Sequence, residues 1–240
     1  MGKKRWYLEI KKFNRLIHNI IFMHKIISLI PAKKNSTRLK NKNIKKYKGQ
    51  TLVSIAINSS IKSKMISETF VSSDSKFILN IADKMNAIPI ERSKNLAKHS
   101  TTADDLIYNF LKQISKDYSK NTIIIYLQPT SPKRNHRHID QAIKIFLKEK
   151  KTVISVSKKI IKNIAKSYLL KNNELFAIRE DFVNQNDQKI PKVFSQNGAI
   201  YIFTIKSFLK KKSIPKKNII PYFMNENDSL DITYQSDLKK

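Results

Sequence analysis

The chain contains no cysteine, and this absence excludes disulfide bonds, thiolate metal sites and a cysteine nucleophile. It is consistent with a reducing compartment, and we expect a cytoplasmic protein. Only three glycines occur among the 240 residues, so a glycine-rich dinucleotide-binding fingerprint is also excluded. No apolar run reaches the roughly 18–20 residues that are needed to span a bilayer, and we therefore predict no membrane span.

Acidic residues are scarce as well, since 18 Asp and Glu stand against 48 Lys and Arg and leave a formal net charge of +30. Such a charge attracts polyanions, and nucleic acid and nucleoside triphosphates are the two obvious classes. Lysine pairs and triplets recur along the chain, however, at 11–12, 45–46, 158–159, 210–212 and 216–217. Because the lysines are not confined to one segment, we interpret the charge as a compositional bias of the whole surface and do not expect a nucleic-acid partner.

The length and the hydrophobic fraction of 40% predict one globular domain that buries a full core. Residues 1–22 are basic and then partly apolar, but polar residues interrupt the apolar stretch and no small-x-small cleavage site follows. We expect either that residues 1–22 form a loose amphipathic extension or that Met23 is the natural start. The globular domain is then 23–240.

Short β-branched runs alternate with helical patterns, which favours a three-layer α/β fold with a Rossmann-like, mixed but mostly parallel sheet. The predicted strands are 26–30, 70–74, 87–90, 123–127 and 152–156, with a turn-to-strand element within 193–203 and a strand-like segment at 167–170. The predicted helices are 52–62, 75–85, one that begins near 100–104, 139–149 and a short one at the end of the chain. Residues 158–192 are polar and irregular and are predicted to leave the main sheet.

Two of the predicted strands end in polar loops. The strand 123–127 runs into Gln128-Pro129-Thr130-Ser131-Pro132, where the prolines terminate it. The strand 26–30 opens into residues 31–43, which we call the basic loop. Ligands of open α/β sheets bind at the carboxyl ends of the strands. Gln128 and the basic loop are therefore predicted to border one ligand site, and the cations of the loop indicate a nucleotide.

The order of these motifs resembles the acylneuraminate cytidylyltransferases, also called CMP-sialic acid synthetases, whose relatives activate legionaminic and pseudaminic acids. The resemblance covers residues 25–240 and rests on four segments. These are Ile30-Pro31-Ala32 through Lys42-Asn43, then Arg92 with Leu96-Ala97 and the Ser/Thr cluster, then Leu127 to Pro132 with Arg134, and finally Asn197 to Tyr201 with Asp228 to Ile232. The run Ser36-Thr37-Arg38-Leu39 is also similar to ketodeoxyoctonate cytidylyltransferases, so the identity of the sugar stays open.

The resemblance implies transfer of CMP from CTP to a nine-carbon 2-keto sugar acid, with release of pyrophosphate, for the synthesis of surface glycans. Such an in-line transfer needs charge neutralisation and positioning more than a covalent nucleophile. It also implies Mg²⁺ as the cofactor and a homodimer in which 158–192 forms a swapped dimerisation flap. A related transferase for another sugar acid, and a degenerate member that binds nucleotide without catalysis, are the alternatives that stay open.

The resemblance assigns the nucleotide to the basic loop and to an arginine beyond it. The nucleotide-binding residues that it implies are Ala32, Lys33, Ser36, Arg38, Lys42, Asn43 and Arg92. Lys33 and Lys42 are implied to be catalytic, although family members usually have arginine where Lys33 stands, and lysine lacks the bidentate fork of arginine. The alternative for the loop is a solvated basic surface, and for Arg92 a surface ion pair with Glu91 or Asp74. Asp74 itself is predicted to cap the helix that follows.

The sugar-binding residues implied by the resemblance are Gln128, Lys166, Asn197 and Gly198. Turn-forming roles in the backbone are the alternatives for Gln128, Asn197 and Gly198. Asp231 is the implied catalytic metal ligand. The family commonly has two aspartates one residue apart here, on the same side of a strand, whereas this chain has Asp231 and Thr233. It also tends to have arginines where Asp187 and Ser195 stand, so four positions depart from the pattern.

Overall fold

The structure is a computed structural model that describes residues 25–97, 100–160 and 164–240. The expectations for residues 1–22 and for a start at Met23 lie outside the described residues. The strands are β1 (Ile26–Pro31), β2 (Lys46–Tyr47), β3 (Gln50–Thr51), β4 (Glu68–Ser73), β5 (Ile88–Glu91), β6 (Ile123–Tyr126), β7 (Val153–Ile160), β8 (Tyr168–Lys171), β9 (Glu174–Ala177), β10 (Phe194–Thr204) and β11 (Ile220–Met224). The α-helices are α1 (Leu52–Ile61), α2 (Lys76–Lys84), α3 (Ala103–Ile114), α4 (His136–Glu149) and α5 (Ile205–Leu209).

A seven-stranded sheet forms the centre of the molecule, in the order β11-β7-β10-β6-β1-β4-β5. Strand β1 pairs in parallel with β4 and β6, β4 with β5, and β11 with β7. Strand β10 is antiparallel to both of its neighbours, β6 and β7. The prediction of a mixed, mostly parallel sheet is therefore confirmed.

Each face of the sheet carries a helical layer, which gives the predicted three layers. In β1, Ile26 and Ile30 belong to the apolar cluster that includes residues of α1, α2 and α4. The alternate residues Ile27 and Leu29 belong to the opposite cluster, which includes Ile107 of α3 and residues of α5. Successive side chains of a strand point to opposite faces, so a strand with apolar side chains on both faces is buried on both sides.

Side-chain caps set the starts of the helices. Thr102 caps α3 in a capping box with Asp105, close to the predicted start. Helix α4 begins three residues before the predicted position, at His136, because Asn135 accepts hydrogen bonds from the backbone N–H groups of Arg137 and His138.

Two peripheral segments complete the fold. Strands β8 and β9 form a hairpin that is a sheet of its own, within the region expected to leave the main sheet. Near the C-terminus, residues 230–233 form no sheet pairing, so the strand geometry assumed for Asp231 and Thr233 was wrong. That segment is instead anchored by the buried Ile232, whose N–H donates to the Thr130 carbonyl at 2.8 Å. Within the described ranges, no helix is long and apolar enough to cross a membrane.

Candidate active site

The carboxyl ends of β1, β5 and β6 meet at a cleft of about 410 Å³, which we call the cationic cleft. Its lining brings together the basic loop, the N-terminus of α3 and the polar loop that follows β6. Seven of the predicted residues line it, namely Lys33, Ser36, Arg38, Lys42, Asn43, Arg92 and Gln128. Ala32 lies behind them and is fully buried, with its N–H donating to the Ser72 carbonyl at 2.9 Å.

The basic loop is tied down through its backbone. The side-chain amide of Asn43 donates to the Lys33 carbonyl at 2.8 Å. The Lys34 N–H donates to the Asp74 carboxylate, also at 2.8 Å. Loop backbone that is held at both positions leaves the side chains of Lys33, Ser36 and Arg38 available to a ligand. The loop is therefore an ordered wall of the cleft and differs from an ordinary solvated surface.

Lys42 is the half-buried cation of this cleft. Its Nζ donates to the Ile232 carbonyl at 3.0 Å, which joins the basic loop to the C-terminal segment. Burial lowers the pKa of Lys42, the Asp231 carboxylate opposes that effect, and the nearby Arg38 and Lys33 lower the pKa further. Three cations close enough to influence one another, beside one carboxylate, form a site that suits a polyphosphate.

Arg92 is 3% exposed and lines the floor of the cationic cleft. Its Nη2 lies 3.6 Å from the Asp74 carboxylate, so the alternative pair with Asp74 does form, but as a buried pair and not as a surface pair. Burial lowers the pKa of Arg92 and the Asp74 charge partly offsets this. The Nε and Nη2 atoms have no hydrogen-bond partner within the described part of the chain. Buried donors of this kind call for an acceptor, and the cleft is where a ligand would supply one.

Asp74 acts differently from its predicted role. The N-cap of α2 is Ser75 and no side chain caps that helix, so the prediction that Asp74 caps it was wrong. The carboxylate instead accepts from Lys34 of the basic loop and pairs with Arg92. Asp74 thus connects the two walls of the cationic cleft. Its position at the end of β4 was the available signal, since the neighbouring strand β1 delivers the basic loop to the same edge.

A second cleft of about 350 Å³ adjoins the first, and Gln128 lines both. We call it the polar cleft, because hydroxyl and amide side chains dominate its lining. The lining residues are Gln128, Ser157, Ser195, Gln196, Asn197, Gly198, Tyr201, Ser229 and Asp231. Among these described residues there is one carboxylate and no cation, and serine occupies position 195, where the resemblance leads one to expect arginine.

Gly198 lies within β10, at an irregularity in the pairing of β10 with β7, so the turn expected at Asn197 and Gly198 was wrong. Its φ of 73° lies in the left-handed region, and a Cβ there would stand 3.2 Å from Oε1 of Gln128. Both the backbone conformation and the close approach favour glycine. Glycine at this position therefore allows β10 to pack against the Gln128 side chain.

The Asn197 side chain is engaged within the protein. Its Oδ1 accepts from the Ser155 hydroxyl at 2.6 Å, and its Nδ2 donates to the Ser229 hydroxyl at 3.0 Å. This geometry ties β10 to β7 and to the C-terminal segment. Sequence reasoning had no signal for Ser155, which lies 42 residues from Asn197, and it gave no role to Ser229, which lies 32 residues away within the motif segment Asp228 to Ile232.

Lys166 lies apart from the other predicted residues. It closes the 3-10 turn Ile164–Lys166 that leads into the β8–β9 hairpin, and it is not among the residues that line either cleft. Tyr126, by contrast, lines the cationic cleft and was missed. It is the last residue of β6, is almost fully buried, and packs edge-on against Tyr201. Burial raises the pKa of its hydroxyl, which therefore remains a neutral hydrogen-bonding group at physiological pH.

Asp231 is exposed at the polar cleft, and the Thr233 hydroxyl donates to its carboxylate at 3.2 Å. The two side chains therefore lie on the same side, as predicted, although the segment is not a strand. In the ranges that the structure describes, no three His, Asp or Glu residues form a metal-binding group. Mg²⁺ is often held by one or two carboxylates, several waters and substrate phosphates, so one carboxylate with a neighbouring hydroxyl meets this modest requirement.

The fold and the paired clefts define the class of nucleotidyltransferases. Two solved structures have the same architecture: a CMP-2-keto-3-deoxy-manno-octonic acid synthetase complexed with CTP, and a 4-diphosphocytidyl-2C-methyl-D-erythritol synthase. The first has a TM-score of 0.66 and 13% identity and covers 90% of this chain and 95% of its own. The second has a TM-score of 0.65 and 10% identity, with coverage of 90% and 95%. At these identities the likeness shows the fold alone.

The family model for cytidylyltransferases matches residues 27–238, so the chain belongs to the cytidylyltransferase family. It is 32% identical over 218 residues to the CMP-N,N'-diacetyllegionaminic acid synthase of Legionella pneumophila, covering 87% of this chain and 90% of that protein. It is 26% identical to the pseudaminic acid cytidylyltransferase of Campylobacter jejuni, with 90% and 94% covered. An N-acylneuraminate cytidylyltransferase of Escherichia coli is 28% identical, and the match spans 90% of this chain and 51% of that protein. The resemblance drawn from the motifs is confirmed.

Proposed function

We propose that this protein transfers CMP from CTP to a nine-carbon, sialic-acid-like 2-keto sugar acid and releases pyrophosphate. The observation that carries the proposal is that Gln128 lines both the cationic cleft and the polar cleft. The cationic cleft suits a polyanionic substrate, and the adjoining polar cleft suits a polyhydroxylated one. The named relatives act in the same substrate class, on legionaminic, pseudaminic and N-acylneuraminic acids.

In this proposal CTP occupies the cationic cleft. Lys33, Arg38 and Lys42 offset the charge of the triphosphate, with Ser36 as a hydroxyl donor on the same loop. Arg92 lines the same cleft, and a guanidinium suits the carbonyl and ring-nitrogen acceptors of a cytosine base. Asp74 holds the Arg92 side of the cleft and the basic loop in a fixed relation.

The sugar acid occupies the polar cleft, where Ser157, Ser195 and Gln196 offer hydroxyl and amide groups to a polyol. The anomeric hydroxyl loses its proton to solvent, its oxygen forms a bond to the α-phosphorus of CTP, the bond from that phosphorus to the bridging oxygen breaks, and pyrophosphate leaves. Mg²⁺, when bound by Asp231 with Thr233 beside it, would neutralise phosphate oxygens during this transfer. Lys42 is suited to stabilise negative charge between the two clefts, because it contacts the segment that carries Asp231.

A homodimer is part of the proposal, and two apolar surfaces support it. The β8–β9 hairpin exposes the cross-strand partners Leu170 and Leu175 at 69% and 65%. A groove of about 580 Å³ lies where Ile154, Phe194 and Pro221 of three adjacent strands line the sheet surface. Exposed apolar surfaces of this kind mark association sites. A second copy of this chain is the partner we favour for these surfaces. We also propose a cytoplasmic location. Whether Lys166 serves the sugar carboxylate stays a prediction.

The function is tested by measuring pyrophosphate release from purified protein with CTP, Mg²⁺ and a panel of neuraminic, legionaminic, pseudaminic and ketodeoxyoctonic acids. We expect release with one of the nine-carbon acids, with CTP and not with UTP or ATP. Release with ketodeoxyoctonic acid alone would contradict the substrate class. If none of the sugar acids gives pyrophosphate release while CTP still binds, the degenerate alternative is favoured. Recovery of turnover by the double variant Thr233→Asp with Lys33→Arg would then show that catalysis had been lost while the fold was kept.

A further inference from the structure

Arg134 is a buried cation outside both clefts. It precedes α4 and is 1% exposed. Its Nη1 donates to the carbonyl of Gln128 at 2.9 Å and to the carbonyl of Ala199 at 3.0 Å. In the described residues no carboxylate lies within ion-pair distance of it, and its Nε and Nη2 have no hydrogen-bond partner.

The two carbonyls belong to adjacent antiparallel strands at the point where their pairing stops. In the β6–β10 register Tyr126 lies opposite Tyr201, and that is the last pair. Extending the register by two residues places Gln128 opposite Ala199. Two carbonyl oxygens cannot bond to each other, so one guanidinium nitrogen between them replaces the missing ladder contact. Arg134 therefore holds the strand ends together where the clefts begin.

We propose that Arg134 is a positioning residue for the sugar. It sets the width of the polar cleft by holding Gln128 on one side and the segment of β10 around Gly198 on the other. This inference rests on the proposed function. Gly198 adjoins Ala199, and the Gln128 side chain lies against Gly198, so both walls depend on the same guanidinium. Gln128 also lines the cationic cleft, but the other walls of that cleft, the basic loop and Arg92, are held separately, by Asn43 and Asp74.

The burial of the Arg134 guanidinium also favours a role in positioning the strand ends. Burial lowers the pKa of Arg134 to about 10, so the side chain is still charged at neutral pH. A buried charge of this kind adds little stability, and apolar side chains of similar volume often stabilise a core at least as well. What an apolar side chain cannot supply is one donor shared by two carbonyls.

The test compares Arg134→Met and Arg134→Lys with the wild type, and uses Ser60→Ala as a matched control. Ser60 is also fully buried, and its hydroxyl bonds to Ser28 and Thr69 far from the clefts. For Arg134→Met we expect the KM of the sugar acid to rise about tenfold or more while the KM of CTP changes less than about threefold, because small displacements in positioning have large effects. Arg134→Lys, which keeps a charged donor, restores part of the loss. Ser60→Ala lowers the melting temperature and leaves both KM values unchanged.

A second readout requires no substrate. Hydrogen exchange of the peptides 127–131 and 197–201 is expected to accelerate in Arg134→Met and to stay unchanged in Ser60→Ala. A folded Arg134→Met with unchanged KM for the sugar, or with equal rises for both substrates, would overturn the proposal. If that variant does not fold, Arg134→Lys decides by the same criteria. If the wild type forms no CMP-sugar, the proposed function fails. The exchange rates still test Arg134 in that case, because acceleration in both peptides supports the role and unchanged rates refute it.

Discussion

The charge of Lys42 depends on its surroundings, because burial and the neighbouring Arg38 and Lys33 lower its pKa from 10.5. The protonated form is the one that offsets the triphosphate, so activity falls as pH rises through the pKa. We expect kcat/KM for CTP, which reports the free enzyme, to show an alkaline limb below pH 10.5. Lys42→Arg should move this limb to higher pH, since arginine stays protonated.

The control for this experiment is Lys40→Arg. Lys40 is exposed on the same loop and is not among the residues that line the cationic cleft. Its replacement should leave the pH profile unchanged. An alkaline limb that persists unchanged in Lys42→Arg would show that another group titrates.

In the proposed function, Asp231 with Thr233 beside it binds Mg²⁺. Asp231→Asn removes the single carboxylate at the polar cleft and should lower kcat/KM by about a hundredfold or more, since metal stabilisation of a phosphoryl transition state amounts to several kcal/mol. Thr233→Asp adds a second carboxylate 3.2 Å or so from the first and should lower the Mg²⁺ concentration for half-maximal rate by about tenfold. Both are measured by metal titration of pyrophosphate release.

Asp228→Asn is the matched control for the metal titration. Asp228 lies three residues before Asp231, lines neither cleft among the described residues, and pairs with His138 at 3.7 Å. Its replacement should leave the Mg²⁺ dependence unchanged. An unaltered Mg²⁺ response of Asp231→Asn would show that the metal is held elsewhere.

The position of the basic loop depends on Asp74, which accepts the Lys34 N–H. Asp74→Ala removes both the acceptor for the Lys34 N–H and the partner of Arg92, and should raise the KM of CTP by about tenfold, because both walls of the cleft lose their common anchor. Asp74→Asn keeps an acceptor oxygen for Lys34 but removes the charge, so it should lose less. Equal losses in the two variants would show that only the ion pair with Arg92 matters.

At the scale of the whole molecule, the proposed dimer is tested at the β8–β9 hairpin. We expect the wild type to sediment as a dimer and the double variant Leu170→Glu with Leu175→Glu to sediment as a monomer, because two charges would face the apolar surface of the second copy. Analytical ultracentrifugation measures this directly.

Phe77→Glu is the control for the hairpin variant. Phe77 is 61% exposed on α2, away from the hairpin, and its replacement should leave the dimer intact. A monomeric wild type at micromolar concentration, or a double variant that remains dimeric, would contradict the hairpin as the interface.

The sequence alone determined most strands and helices of the core, the mostly parallel sheet, the basic loop and the family, because these follow from local apolar patterns and from contiguous motifs. Strand β11 and helix α5 were not predicted. Only the tertiary structure decided what separated residues do together. Asp74 turned from the predicted helix cap into the link between Lys34 and Arg92. The amide of Asn197 proved to be engaged by Ser155 and Ser229. Side-chain partners that lie 30 residues or more apart are set by how strands are ordered and registered, and no local pattern encodes that order.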